Sequence, residues 1–251
     1  MSELLNIIEI KGLRKKYKGA EDEALKGIDL NIPKGAFYGL LGPNSAGKTT
    51  LISILCGLLK ISEGEVYLDG IDVKKESGRI KNLIGLIPQE IALYHNLSIR
   101  ENLKFFGQMQ GIFGKDLKKR VEECLDVVKL QSHANKLVSK CSGGIKRRAN
   151  LVAGLIHKPQ IIFLDEPTLG VDAQSRNLIF EYLQTLNSAG ATLIYTTHYM
   201  KEAETLCSWV NIIDNGNIIV QGAPQELITN HPNCNDLGQV FISLTGRDLR
   251  D

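Results

Sequence analysis

Ala36-Phe37-Tyr38-Gly39-Leu40-Leu41, running into Gly42-Pro43-Asn44-Ser45-Ala46-Gly47-Lys48-Thr49, is the stretch that decides the fold. A short apolar run enters a glycine-rich turn, and residues 48–59 then carry helical character. Strand, glycine loop and helix in that order are the context in which the pattern G-x-x-x-x-G-K-S/T binds phosphate. The glycines let backbone N–H groups turn inward around phosphate oxygens, and the helix N-terminus adds partial positive charge. The spacing puts Lys48 at the β- and γ-phosphates and the Thr49 hydroxyl at Mg²⁺.

Outward from this loop the chain reads as an α/β core with two additions. Residues 7–10 and 25–32 read as strands of an N-terminal β region. Residues 65–68 and 71–73 form a hairpin through Asp69-Gly70. The middle changes character: Ser98-Ile99-Arg100-Glu101 is a capping box, and the helix it opens runs towards Gly111. Across residues 116–129, Leu117, Val121, Cys124, Leu125 and Val128 fall on one helical face. No strand pattern interrupts residues 99–136, so this region reads as a helical subdomain, about residues 92–158, inserted into the core. Residues 161–164 and 191–195 then return as buried parallel strands around a helix at 174–187. A second hairpin turns at Asn215-Gly216, and residues 229–238 read as a loop before a short tail. The division is one domain over residues 5–230 and a tail over 231–251.

Composition excludes several classes. The chain has 251 residues, a net charge of +2, 43% hydrophobic and 23% charged residues, which is ordinary for a globular protein. That charge gives no electrostatic case for nucleic acid. The basic runs at Lys11 to Lys16 and Lys146-Arg147-Arg148 are short and read as solvated faces. Five cysteines, odd in number and without C-x-x-C spacing, argue against a disulfide framework or zinc site. Met1 to Asn6 has no basic and apolar leader pattern. The longest apolar stretch, residues 51–59, is too short to span a bilayer. A membrane role therefore has to be played on the surface, through a partner.

Further chemistry lies at the ends of the apolar runs. Asp165 and Glu166 close the strand at 161–164, and adjacent buried carboxylates are costly without a cation or hydrogen bonds. Asp165 is placed to hold Mg²⁺, and Glu166 is the candidate general base for an attacking water. His198 follows another apolar strand; alone it reads as structural, but parallel strand ends converge on a ligand. Gln89, after the run Ile84 to Pro88, is a weak signal taken alone. Ser142-Gly143-Gly144 forms a second backbone nest, too far along the chain to belong to the first loop.

In this order, the phosphate loop, Gln89, Cys141-Ser142-Gly143-Gly144-Ile145, Asp165-Glu166, Leu169-Gly170-Val171-Asp172 and His198 resemble the ATP-binding subunit of ABC transporters. The resemblance implies a P-loop NTPase core with an N-terminal antiparallel β region and an inserted α-helical subdomain. It implies an ATPase that binds ATP through Tyr17, Gly42, Pro43, Asn44, Ser45, Ala46, Gly47, Lys48, Thr49 and Thr50. Thr49, Gln89 and Asp165 would attend Mg²⁺, Glu166, His198 and Gln89 would act in hydrolysis, and Tyr17 would stack on adenine. It also implies a head-to-tail homodimer or pseudo-dimer, in which Ser142, Gly143, Gly144 and Asp172 contact the ATP held by the partner subunit.

This sequence departs from the family pattern at Ser45, where glycine is usual, and at Cys141 and Ile145, where leucine and glutamine are common. If position 45 needs positive φ, serine adds strain of about 1 kcal/mol. Residues 93–103, 196–204 and 244–251 resemble exporter ATPases for drugs, lipids or polysaccharides, which pair with a separately encoded permease. The expected place of work is the cytoplasmic face of the cell membrane, as a peripheral subunit, with the permease contacting residues 89–96. An importer ATPase is the alternative, and a soluble ABC protein outside transport is a more distant one.

Overall fold

The computed structural model of the chain describes residues 5–246. β1 (Asn6–Lys16) and β2 (Glu23–Pro33) pair antiparallel, and β3 (Phe37–Leu41) then runs through the glycine loop into α1 (Lys48–Leu55). β4 (Glu63–Leu68), β5 (Ile71–Asp72), α2 (Ser77–Ile80) and β6 (Ile84–Ile87) follow. Next come three helices, α3 (Ile99–Met109), α4 (Gly114–Val127) and α5 (Gly143–Gly154). The chain continues as β7 (Ile161–Asp165), α6 (Ala173–Ser188), β8 (Thr192–Thr197) and α7 (Met200–Leu206). It closes with β9 (Trp209–Asp214), β10 (Asn217–Gly222), α8 (Pro224–Asn230) and α9 (Leu237–Thr245).

Two sheets result. The first has the order β2-β1-β4-β5 and is antiparallel; the second has the order β10-β9-β3-β8-β7-β6 and is parallel except for its β9–β10 edge. β3, β7 and β8 are buried at every residue because both faces of the second sheet are covered. Alternation still sorts their side chains between two cores. Ile161, Phe163, Tyr38, Leu40 and Ile194 join the core shared with α1 and the first sheet. Ile162, Leu164, Phe37, Leu41 and Tyr195 join the core shared with the inserted helices. The sheet is thus the wall between two apolar layers, and its strand ends are the places where polar groups reach solvent.

Local chemistry explains the element ends. Ser98 and Glu101 form the expected reciprocal cap on α3, with Glu101 N–H donating to Ser98 Oγ at 3.2 Å and Ser98 N–H donating to Glu101 Oε2 at 2.7 Å. Both hairpin dipeptides take positive φ at both residues, 49° and 74° at Asp69-Gly70 and 46° and 77° at Asn215-Gly216, as a type I′ turn requires. α1 stops at Leu55 rather than at residue 59, because Gly57 enters the left-handed region and leaves Leu58 exposed. Residues 229–238 are less of a loop than their composition suggests. α8 continues to Asn230, and Asp236 caps α9 by accepting from Gln239 N–H at 2.8 Å. Leu237, Val240 and Phe241 of α9 are buried in the larger core, so the first half of the expected tail packs as structure. The rest of that tail, residues 247–251, and the first four residues lie outside the described residues. Among the described residues no helix is long and apolar enough to cross a membrane.

Candidate functional site

The phosphate loop is built on close approach. A Cβ on Gly42 would stand 2.2 Å from the Ile213 carbonyl oxygen, and one on Gly47 would stand 2.7 Å from that of Ala24. Gly47 also holds φ at 109°, so both positions exclude any side chain. Ser45 does adopt the left-handed region, with φ at 67°, and its hydroxyl donates to the Asn44 carbonyl at 2.5 Å. The strain, about 1 kcal/mol, is therefore present. No side chain caps α1, which leaves its first N–H groups to the loop. Lys48 is buried and donates from Nζ to the carbonyls of Gly42 and Pro43 at 2.7 and 2.9 Å. Burial lowers its pKa, while Glu166 and Asp165 oppose that shift by their charge.

The ends of β6, β7 and β8 bring the polar groups to this loop. Thr196 Oγ1 donates to Asp165 Oδ1 at 2.6 Å, and Thr49 Oγ1 lies 3.5 Å from Asp165 Oδ2. Glu166 is buried and takes φ at 47°, a strained conformation for a residue with a Cβ. Its N–H is held by the carbonyl and hydroxyl oxygens of Thr196, both at 3.2 Å. Its carboxylate meets Gln89 Nε2 at 3.4 Å on one oxygen and His198 Nδ1 at 3.1 Å on the other. Tyr17 stays exposed beside the loop, its hydroxyl 3.1 Å from Thr50 Oγ1. Tyr17, residues 44–50, Gln89, Asp165 and Glu166 line one cavity of about 310 Å³.

The second nest stands outside that cavity. Ser142 opens α5 and, with Gly143, is exposed. Gly144 is buried: a Cβ there would lie 2.5 Å from Ser175 Oγ and 2.7 Å from Asp172 Oδ2. Glycine at 144 thus lets the start of α5 rest on the start of α6. Asp172 caps α6, accepting from Ser175 N–H at 2.9 Å, and hydrogen bonds from Ser175 hold its carboxyl below the usual range. The structure gathers Tyr17, the loop, Gln89, Asp165, Glu166 and His198 in one place, and Ser142, Gly143, Gly144 and Asp172 in another.

Four residues escaped the reading of the sequence. Thr196 holds the Asp165 carboxylate and the Glu166 backbone N–H, and its only trace was a polar pair, Thr196-Thr197, ending an apolar strand. Arg147 is buried, contrary to the solvated face expected for the run Lys146-Arg147-Arg148. It donates to the carbonyls of Gln89 at 2.5 Å and Leu169 at 3.3 Å, tying the β6 end to the turn after β7. Arg148 likewise turns back, donating to the Val128 carbonyl at 2.8 Å. Glu202 is buried and has no ion pair among the described residues, and nothing in its local sequence marked it.

Comparison with known proteins bears on the family and the fold. The ABC transporter family model matches residues 25–169. The linearmycin resistance ATP-binding protein of Bacillus subtilis is 42% identical over 240 residues, covering 95% of this chain and 75% of the relative. The Nod factor export ATP-binding protein I of Ralstonia nicotianae is 38% identical over 235 residues, covering 94% and 72%. Among solved structures, a dimeric post-hydrolysis state of an ATP-binding cassette bound to ADP and Pi superposes with a TM-score of 0.80. It is 30% identical and covers 86% of this chain and 98% of that one.

Proposed function

The chain belongs to the ABC transporter family as an ATP-binding, ATP-hydrolysing subunit, and on that premise we propose that it powers export through a separately encoded membrane permease. The observation that carries the mechanism is the separation of two phosphate-binding devices within one chain. The cavity holding Lys48, Asp165 and Glu166 lacks Ser142, Gly143 and Gly144, of which Ser142 and Gly143 lie exposed elsewhere. Two copies arranged head to tail place each exposed nest against the other copy's cavity. Such an arrangement lets ATP favour the closed pair through contacts made only there.

Within one site the roles follow from position. Lys48, held at the loop by two carbonyls, exchanges them for β- and γ-phosphate oxygens. Glu166 takes the proton of the attacking water, and Gln89 and His198, one on each carboxylate oxygen, fix its plane. Tyr17 offers an exposed ring for adenine. The Thr49 hydroxyl and the Asp165 carboxylate present oxygen donors 3.5 Å apart, a set that would suit Mg²⁺, a cation that takes oxygen donors. When bound, the ion neutralises charge on the phosphates.

The permease contact is assigned to a cavity of about 340 Å³ between the end of α1, β6, α3 and α5, lined by Leu58, Pro88, Ala92 and Phe106 among others. Met109 at the end of α3 and Leu58, Tyr94 and Phe113 in the flanking turns are exposed and add apolar surface, in keeping with an interaction face. The chain then sits at the cytoplasmic face of the membrane, carried there by its permease. Export is favoured over import because the relatives named above are resistance and export subunits. Crosslinking from a cysteine at Ala92 in gently solubilised membranes is expected to capture an integral membrane protein. Repeated capture of soluble proteins alone would refute the permease assignment.

A further inference from the structure

Glu202, on α7, is 5% exposed, and among the described residues no Lys, Arg or His forms an ion pair with it. Hydroxyls take the place of a cation. Thr168 Oγ1 donates to both carboxylate oxygens at 3.0 and 2.9 Å. The Tyr195 hydroxyl and Thr197 Oγ1 donate to Oε2 at 2.7 and 3.1 Å. A carboxylate accepts only, so it fixes the rotors of all three donors at once. Removing the acceptor would leave three buried hydroxyls competing for partners.

The donors come from the two segments that frame the candidate chemistry. Thr168 lies in the turn between Glu166 and Asp172, where its carbonyl accepts from Val171 N–H at 3.3 Å. Thr197 precedes His198, and its Oγ1 also accepts from Tyr199 N–H at 2.9 Å. Thr197, and through it Tyr199, the two chain neighbours of His198, are therefore tied to the carboxylate that also holds the 166–172 turn. Glu202 itself does not line the nucleotide cavity.

We propose that Glu202 is a positioning residue, a strut that keeps the 166–172 turn and His198 in register. Contact of a partner copy at Asp172 then reaches the Glu166–His198 pair through Thr168 and Thr197. The inference rests on the roles assigned above to Glu166 and His198.

The test is steady-state ATP hydrolysis by the full chain carrying Glu202→Gln, Thr168→Val or Thr168→Ser, each alone and with His198→Ala. Glu202→Gln and Thr168→Val are expected to lower kcat about tenfold while KM for ATP stays within about twofold. Thr168→Ser, which keeps the hydroxyl, restores the wild-type rate. Added to His198→Ala, Glu202→Gln lowers kcat by less than about twofold further, because both act on one pair. Wild-type kcat in folded Glu202→Gln, or losses that multiply in full with His198→Ala, would overturn the strut. If Glu202→Gln does not fold, Thr168→Val decides by the same criterion. Wild-type hydrolysis in both Glu166→Gln and His198→Ala would instead overturn the site assignment, and the strut with it. Lost hydrolysis in those two beside an unimpaired Thr168→Val overturns the strut alone.

Discussion

Adjacent glycines at 143 and 144 are predicted to fail in different ways when each is replaced by alanine. At Gly144 the new methyl group would meet Ser175 Oγ at 2.5 Å and Asp172 Oδ2 at 2.7 Å, with Ser175 Cβ at 3.1 Å. Relief requires Ser175 to rotate or α5 to lift from α6, and overpacking of this kind costs about 1–3 kcal/mol. The same contact weakens the Asp172 cap, which accepts from Ser175 N–H at 2.9 Å. A central loss of about 2 kcal/mol corresponds to a fall in Tm of about 4–8 °C for a chain of this size. At Gly143 a Cβ meets only the Gly170 carbonyl at 3.8 Å, so alanine fits and gains about 0.5 kcal/mol from reduced unfolded-state freedom. Thermal unfolding of the two variants, beside ATP hydrolysis at a concentration where the wild type dimerises, separates packing from partner contact. Gly143→Ala should keep or raise Tm yet slow hydrolysis, because its methyl group intrudes where the partner's phosphate belongs. Gly144→Ala at wild-type Tm, or Gly143→Ala at wild-type turnover, would refute the argument.

Two other outcomes follow from the same geometry. Burial lowers the pKa of His157 from 6.5, while its Nε2 sits 2.9 Å from the Ile84 carbonyl. A depressed pKa means that the unfolded chain binds more protons below pH 6.5, so stability rises with pH there and is lost as pH falls through the folded value. Denaturant unfolding of His157→Asn at pH 7 and pH 5 should show a shallower loss than wild type, and an equal loss would count against a depressed pKa at this half-buried imidazole. Tyr17→Ala should weaken ATP binding by about 1 kcal/mol, roughly fivefold, while leaving Mg²⁺-dependent turnover at saturation unchanged. Unaltered affinity in a nucleotide titration would remove Tyr17 from the site.

Much of the fold and site was legible because the chemistry is contiguous in sequence. Gly42 to Thr49 must lie between a strand and a helix to fold around phosphate, and Asp165-Glu166 must follow a buried strand to reach it. Both demands leave marks within a dozen residues. The capping box at Ser98 and the turns at Asp69 and Asn215 are equally local. What stayed hidden depends on elements meeting in space. Arg147 reads as a surface cation until the turn after β7 and the end of β6 converge on it. Glu202 acquires its three hydroxyls from two segments, the turn after β7 and the end of β8, and Thr196 acquires its role only where β8 lies beside β7. α9 was missed because Asn, Pro and Gly in residues 229–238 outweighed a short apolar periodicity whose partners lie in the larger core. Ser45 could be flagged but not decided from sequence, since φ at that position is set by the loop's closure.

In the proposed mechanism each ATP is gripped by two copies of the chain, and light scattering of Glu166→Gln with ATP decides whether it is. Loss of the base slows hydrolysis by about 10²–10⁴ while leaving the phosphate loop intact. The variant is expected to double from one chain's mass to two when ATP is added. Introducing Ser142→Arg into the same chain should return it to a single mass with its ATP affinity retained. A Glu166→Gln chain that binds ATP yet keeps the mass of one copy would contradict the account, as would a double variant that still dimerises.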